Sequence, residues 1–145
     1  LALTEDAWVA GMKRYRGAIK GILTNAEFVQ GIGNADSDEI LWEAQINPYT
    51  PKTKLSEEDL RRLYRAAHRV MEWATPLARE RMVKDGMLDY EERRDFVRVH
   101  RRGGQPCPRC GTTISEITAN QRITSFCRHC QPGGPAMKNS PGIER

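Results

Sequence analysis

The sequence predicts a mainly α fold, a bundle of amphipathic helices followed by a four-cysteine β-hairpin. Three observations carry this. Apolar residues recur at helical spacing through the first 85 positions, glycine- and asparagine-containing turn signals interrupt them, and all four cysteines fall between positions 107 and 130. Hydrophobic residues make up 39% of the 145 and charged residues 29%, the balance of a folded, soluble chain rather than a disordered one. No apolar run approaches the ~18 residues of a membrane span. The first twenty residues are amphipathic and basic, unlike a signal peptide.

Thr4 is placed to cap a first helix over residues 5–15, with Glu5 and Asp6 in its first turn. Trp8, Met12 and Tyr15 share one face of it, the expected core face, and Lys13, Arg14, Arg16 and Lys20 follow or flank that face. Asn25 is placed to cap a short second helix ending near Gln30. Gly31-Ile32-Gly33-Asn34 then leads into a third helix over residues 35–44. Alternating glycines between helices make a tight turn and leave backbone N–H groups uncovered, and such amides at a helix N-terminus bind phosphate. G-x-G also occurs in plain turns, and Asn34 also suits a simple helix cap.

Asn47-Pro48 ends that unit. Ser56 and Asp59 form a capping box for the longest helix, striped by Leu60, Leu63, Ala67, Val70, Met71 and Ala74. Pro76 is predicted to kink or split it, and Asp85-Gly86 to end it. His68 is expected at its surface or boundary. Residues 89–102 are highly charged, Gly103-Gly104 reads as a hinge, and residues 131–145, rich in Gly and Pro, read as a disordered tail.

Cys107, Cys110, Cys127 and Cys130 form two C-x-x-C pairs separated by sixteen residues. Each pair makes a tight turn presenting two thiolates, and four thiolates converging at ~2.3 Å make a closed tetrahedral Zn²⁺ site, structural rather than catalytic. Pro106 and Pro108 stiffen the first turn, and Gly111 permits an unusual backbone angle there. Two disulfides would need an oxidising compartment, which nothing here signals, and a redox C-x-x-C would need a βαβ context. Residues 112–119 and 123–126 read as a β-hairpin, with Asn120 and Gln121 near its turn and Arg122 beside them. His129 is expected to be exposed rather than a further ligand.

The net charge is +4 and the pI about 9.0. Between positions 93 and 130 lie Arg93, Arg94, Arg98, Arg101, Arg102, Arg109, Arg122 and Arg128, opposed only by Asp95 and Glu116, a local excess of +6. Arginine forks onto phosphate oxygens, so this stretch reads as a surface for a polyanion, or as a solvated basic face.

Two groups of runs then take on a joint meaning. Ile19-Lys20-Gly21-Ile22-Leu23, Val29-Gln30-Gly31-Ile32-Gly33-Asn34 and Ser37-Asp38-Glu39-Ile40-Leu41 resemble the helix–two-turn–helix core of the formamidopyrimidine-DNA glycosylase and endonuclease VIII family. So do Pro106-Cys107-Pro108-Arg109-Cys110-Gly111-Thr112, Gln121-Arg122-Ile123-Thr124 and the closing stretch 127–131 of its zinc finger. The resemblance runs from about residue 5 to residue 133, in the family's order. It implies a helix–two-turn–helix DNA-binding domain over 1–95, a zinc finger over 96–133 with one structural Zn²⁺, and a tail over 134–145.

The resemblance also implies a function: the half of a base-excision repair glycosylase and abasic-site lyase that grips damaged duplex DNA, as a monomer, in the bacterial cytoplasm with the nucleoid. Asn34, with Gly33 and neighbouring amides, matches the asparagine that holds phosphates flanking a lesion. Lys20 matches a lysine near the abasic-site backbone, and Arg122 the arginine at the finger's hairpin tip. A flipped nucleotide needs its backbone held on both sides.

Family catalysis uses an N-terminal Pro-Glu on a β-sandwich. This chain begins Leu1-Ala2-Leu3, so no catalytic residue is assigned, and a separate N-terminal catalytic domain is an expected partner. Asp36 stands where the family usually has an aromatic residue, and the 85–99 segment is short for the lesion-sensing loop of oxidised-purine enzymes. The alternatives are a non-enzymatic zinc-dependent DNA-binding protein and an RNA-binding helical module with a zinc ribbon.

Overall fold

The computed structural model describes residues 3–85 and 97–133, with side chains of 73–85 excepted. Among these residues are four α-helices, α1 (Glu5–Met12), α2 (Ile19–Leu23), α3 (Asn34–Ala44) and α4 (Glu57–Asp85), and a single two-stranded sheet, β1 (Ser115–Ala119) with β2 (Arg122–Phe126).

Thr4 caps α1 through its hydroxyl, which accepts from the Ala7 amide at 3.2 Å. The helix stops at Met12, earlier than its sequence pattern implies. The amides of Lys13, Arg14 and Tyr15 reach back only three residues, to Ala10, Gly11 and Met12, and this tighter winding swings Tyr15 onto Phe28, ring centroids 5.8 Å apart. Trp8 sits at the centre, edge-on to Phe28 at 5.1 Å and Tyr64 at 5.4 Å.

The second helix differs from the expected one. It occupies Ile19–Leu23, and Asn25 instead organises a turn, its side chain accepting from the Glu27 amide and its carbonyl from those of Phe28 and Val29. α3 follows the glycine turn as expected, but Gly33 is its N-cap, not Asn34. α3 ends on Gln45 in the left-handed region, φ 62°, with the Ile46 amide returning to the Leu41 carbonyl.

The capping box of α4 forms as read: Ser56 Oγ accepts from the Asp59 amide at 3.1 Å and Asp59 Oδ2 from the Ser56 amide at 3.0 Å. The helix is not split at Pro76 but continues to Asp85. A proline inside a helix removes one N–H donor, a loss the remaining ladder carries here. Leu60, Leu63, Ala66, Ala67 and Val70 are buried and Met71 partly so; Ala74 lies outside the described side chains. They close over α1 and α3, making one core with Trp8, Met12, Ile19, Leu23, Ile40 and Leu41. His68 is half-buried beside Tyr64, with Glu72 at 3.3 Å.

The hairpin is shorter than read. Residues 112–114 stay out of β1, because the Thr112 carbonyl accepts from the Cys107 amide and Thr113 bridges Pro106. Asn120 and Gln121 make the turn, both left-handed at φ 53° and 65°, the geometry that matches strand twist in a two-residue hairpin loop. Gly103-Gly104 is not a free hinge. The Gly103 amide donates to Glu116 Oε1, a Cβ on Gly103 would lie 2.6 Å from the Glu116 Cβ, and the Gly104 amide donates to the Ile114 carbonyl. The readings for Arg93, Arg94, most of the 85–99 loop and the tail beyond 133 fall outside the described residues.

Candidate nucleic-acid interface and zinc centre

The four cysteine sulfurs converge within 4.8 Å of one another, with Cys110–Cys127 at 3.5 Å and Cys107–Cys130 at 3.9 Å. A tetrahedron with 2.3 Å metal–sulfur bonds has edges of about 3.8 Å, so the donor set fits one structural Zn²⁺. The backbone is already folded around it: the Gly111 amide bonds the Cys107 carbonyl, and the Arg109 and Cys130 amides point at the sulfurs of Cys107 and Cys127, both at 3.4 Å. His129 is exposed and outside the cluster.

Trp42 of α3 reaches the same centre. Its indole Nε1–H donates to Cys107 Sγ at 3.3 Å, while the Arg109 guanidinium lies 3.9 Å over its ring and donates to its carbonyl at 3.2 Å. A Zn²⁺ with four thiolates carries a net −2 charge, and a donor N–H and an adjacent cation both offset it.

Two adjacent acids on α3, Asp38 and Glu39, fasten the finger to the helices. Glu39 accepts from three consecutive amides, Arg98, Val99 and His100, at 2.8–2.9 Å. Its burial pushes the carboxyl upward, and the three amides oppose that shift. Asp38, fully buried, accepts from Lys20 Nζ at 2.8 Å and the Ser125 amide at 3.0 Å, with His100 Nδ1 at 2.7 Å. Gln131 closes the far end: its side chain joins the Ile46 carbonyl to the Cys127 amide, and Asn47 donates to its carbonyl.

The residues read as DNA-contacting come together around one backbone oxygen. The carbonyl of Ile123, next to Arg122, accepts from Asn34 Nδ2 at 2.9 Å and Lys20 Nζ at 3.1 Å. Lys20 donates a third bond to Thr124 Oγ1 at 2.8 Å, so its three ammonium hydrogens all have acceptors. Burial lowers its pKa from the ordinary value, opposed by Asp38. Arg122 is exposed and only loosely held, 3.4 Å from Thr24 Oγ1. The Gly33 amide is taken by Asp36 Oδ2 at 3.1 Å, so Asp36 completes the helix start.

The arginine stretch is less open than its formal charge implies. Arg98 bonds Glu43, Arg102 the Val97 carbonyl, Arg109 the Trp42 carbonyl and Arg128 Ser115 Oγ. Of the residues that hold the site, sequence reasoning missed Asp38, Glu39, Trp42, Asn47, His100 and Gln131. The two acids carried a signal, adjacent charges on a helix that also needs a core face.

A helical unit whose third helix reaches the hairpin edge beside Arg122 through Asn34, and a four-cysteine knot through Trp42, defines a class of zinc-finger proteins. Residues 2–85 match the family described as Formamidopyrimidine-DNA glycosylase H2TH domain, and residues 104–133 the one described as Zinc finger found in FPG and IleRS. The formamidopyrimidine-DNA glycosylase of Lactobacillus delbrueckii subsp. bulgaricus is 34% identical over 131 residues, covering 87% of this chain and 47% of that protein. An uncharacterized formamidopyrimidine-DNA glycosylase-like protein of Mycobacterium tuberculosis is 39% identical over 122 residues, 83% of this chain and 75% of that one. The solved Lactococcus lactis formamidopyrimidine-DNA glycosylase bound to DNA containing an AP site superposes with a TM-score of 0.68 at 27% identity, over 90% of this chain and 46% of that one. The chain belongs to the formamidopyrimidine-DNA glycosylase family. It spans about half the length of most curated relatives it matches.

Proposed function

We propose that this chain grips lesion-containing double-stranded DNA, as the DNA-binding half of a base-excision repair glycosylase and abasic-site lyase. The convergence of Asn34, Lys20 and the Arg122–Ile123 edge on one carbonyl carries the reading. It holds the start of α3, where first-turn amides lack intrahelical partners, beside an exposed guanidinium. Phosphate is the ligand such a pair recognises. Lys20, enclosed in its own bonds, acts here by fixing Thr124 and Asp38, not by offering an open ammonium. Within this reading α2, the glycine turn and α3 form the helix–two-turn–helix of a mainly α domain over 1–95, and 96–133 is the finger. The working location is the bacterial cytoplasm, at the nucleoid, and the catalytic groups lie on a separate N-terminal domain.

The test is an anisotropy titration of the zinc-loaded chain against two short duplexes, one with a stable abasic-site analogue and one intact, at two salt concentrations. Tighter binding to the abasic duplex is expected, with affinity falling as salt rises. Equal, salt-sensitive binding to both would place lesion recognition in the other half and leave this one a phosphate clamp. No binding to either overturns the reading.

A further inference from the structure

We propose that a second basic surface, on the two loops entering α2 and α4, holds the phosphate backbone of the duplex flank beyond the lesion grip. This rests on the DNA-binding reading above. The surface consists of Lys13, Arg14 and Arg16 on one loop and Lys52 and Lys54 on the other. The Lys52 amide donates to the Gly17 carbonyl at 2.8 Å, the Ile19 amide to the Thr50 carbonyl at 2.9 Å, and Ala18 bridges Pro51. Two stretches distant in sequence thus present one face.

That face is cationic without compensation. Residues 13–26 and 45–56 contain no acidic residue. Lys13, Arg14, Arg16 and Lys54 are exposed and Lys52 half-exposed, and none of the five side chains has a hydrogen-bond or ion-pair partner among the described residues. On α4, by contrast, surface arginines are matched to acids: Arg61 to Glu5, Asp6 and Glu57, and Arg65 to Glu5 and Glu58. Five unmatched cations on two joined loops repel one another, and a polyanion relieves that repulsion.

The loops are also held in place before any partner arrives. Tyr15, between Arg14 and Arg16, is pinned on Phe28, and Tyr49, leading into the second loop, packs edge-on to Phe126 of β2 at 5.8 Å. The surface is continuous with the lesion grip. Its first loop runs directly into Ile19 and Lys20, whose amide is fixed by the Pro48 carbonyl, and the C-cap of α2, Thr24, lies against Arg122. Five helical residues span about 7 Å. Two phosphate steps, at 3.4 Å of axis per strand, cover a similar length. A regular backbone is the anion that matches such a spread of single charges.

The experiment uses the full zinc-loaded chain and its K13Q/R14Q/R16Q/K52Q/K54Q variant. Both are titrated against duplexes of about 10 and about 24 base pairs centred on the same abasic analogue, so that the short one lacks most of the flank. On the long duplex the variant is expected to bind roughly tenfold more weakly, with the log–log salt slope reduced by about 2, since each phosphate contact contributes about 0.9. On the short duplex the two proteins should agree within about twofold. Zinc content and helical circular dichroism, unchanged in the variant, report that the fold is intact. Equal affinity and slope on the long duplex overturn the proposal, and so does an equal loss on both, which would assign the cations to the lesion grip itself. Failure of the wild-type chain to bind either duplex defeats the DNA-binding reading as well, and that outcome is visible without the variant.

Discussion

In the helical region the largest fully buried side chains are Trp8, Met12, Ile19, Leu23, Ile40, Leu41, Leu63 and Val70, a contiguous apolar core. In the finger the corresponding cluster is Val99, Ile114 and three of the four cysteines, shared with Trp42 of α3. Apolar burial contributes about 25 cal/mol per Å² wherever it occurs. The finger therefore gains little from it, and its shape depends on metal, turn geometry and buried polar bonds. The helices have an extended apolar core to hold them together, whereas the finger has only this small cluster to fall back on.

The largest predicted effect follows directly. Stripping zinc with a chelator at neutral pH, or substituting Cys127→Ser, should unfold residues 104–133 and leave the Trp8 core folded. Structural zinc contributes on the order of 10 kcal/mol in small fingers, more than the finger's apolar cluster can replace. The check is amide exchange: protection at 115–126 should vanish while that of α1 and α4 persists. Simultaneous loss in both regions would break the comparison.

The same contrast governs what was legible in the amino-acid order. Features closed within a few residues read correctly: the Thr4 cap, the Ser56–Asp59 box and the Asn120-Gln121 turn; the grouping of the four cysteines, joined by one short hairpin, was legible from their spacing. Features completed by distant partners did not. Asn25 looks like a helix cap and α2 has none, yet α2 forms, because the 48–50 segment supplies carbonyls to the Ile19 and Lys20 amides. Asp38 and Glu39 resemble the wet side of a helix until the 98–100 turn and β2 close over them. The arginines of 98–128 looked like an open phosphate surface, and most turn out to bond carbonyls, carboxylates or hydroxyls of their own chain. Local rules do not report which side chains and carbonyls the tertiary fold brings together.

The junction between the two regions is where the next effect is expected. Lys20→Met would leave Asp38 short of its cation, and Asp38→Ala would strand a buried ammonium and free the Ser125 amide. Removing one member of a buried pair costs about 3–5 kcal/mol. Urea unfolding should show both losses, and the double substitution should cost much less than their sum, since neither charge is then left alone. Strict additivity would mean that the pair is not a unit. Smaller, and directed at the metal, is Trp42→Phe, which keeps the ring under Arg109 and deletes only the N–H donated to Cys107. A loss of about 1 kcal/mol should speed zinc transfer to a competing chelator roughly fivefold. In the cobalt-loaded protein the sulfur-to-metal charge-transfer band should shift as well. An unchanged band and rate would reduce Trp42 to a packing residue.

The smallest effect tests whether the regions unfold separately. Ser56→Ala removes the hydroxyl that accepts the Asp59 amide at the start of α4, far in sequence from the cysteines. Loss of such a cap costs about 1 kcal/mol. The reciprocal bond has a pH signature: the Ser56 amide holds the Asp59 carboxyl below its ordinary 3.8, so that stabilisation is complete above the ordinary value and is lost as pH falls through the lower folded one. In Ser56→Ala the urea midpoint of the helical signal should fall at pH 7, while the rate of zinc transfer stays at the wild-type value. If zinc transfer accelerates in step, strain in the apolar region reaches the metal through Asp38 and Glu39, and the two regions share one cooperative transition despite their different means of support.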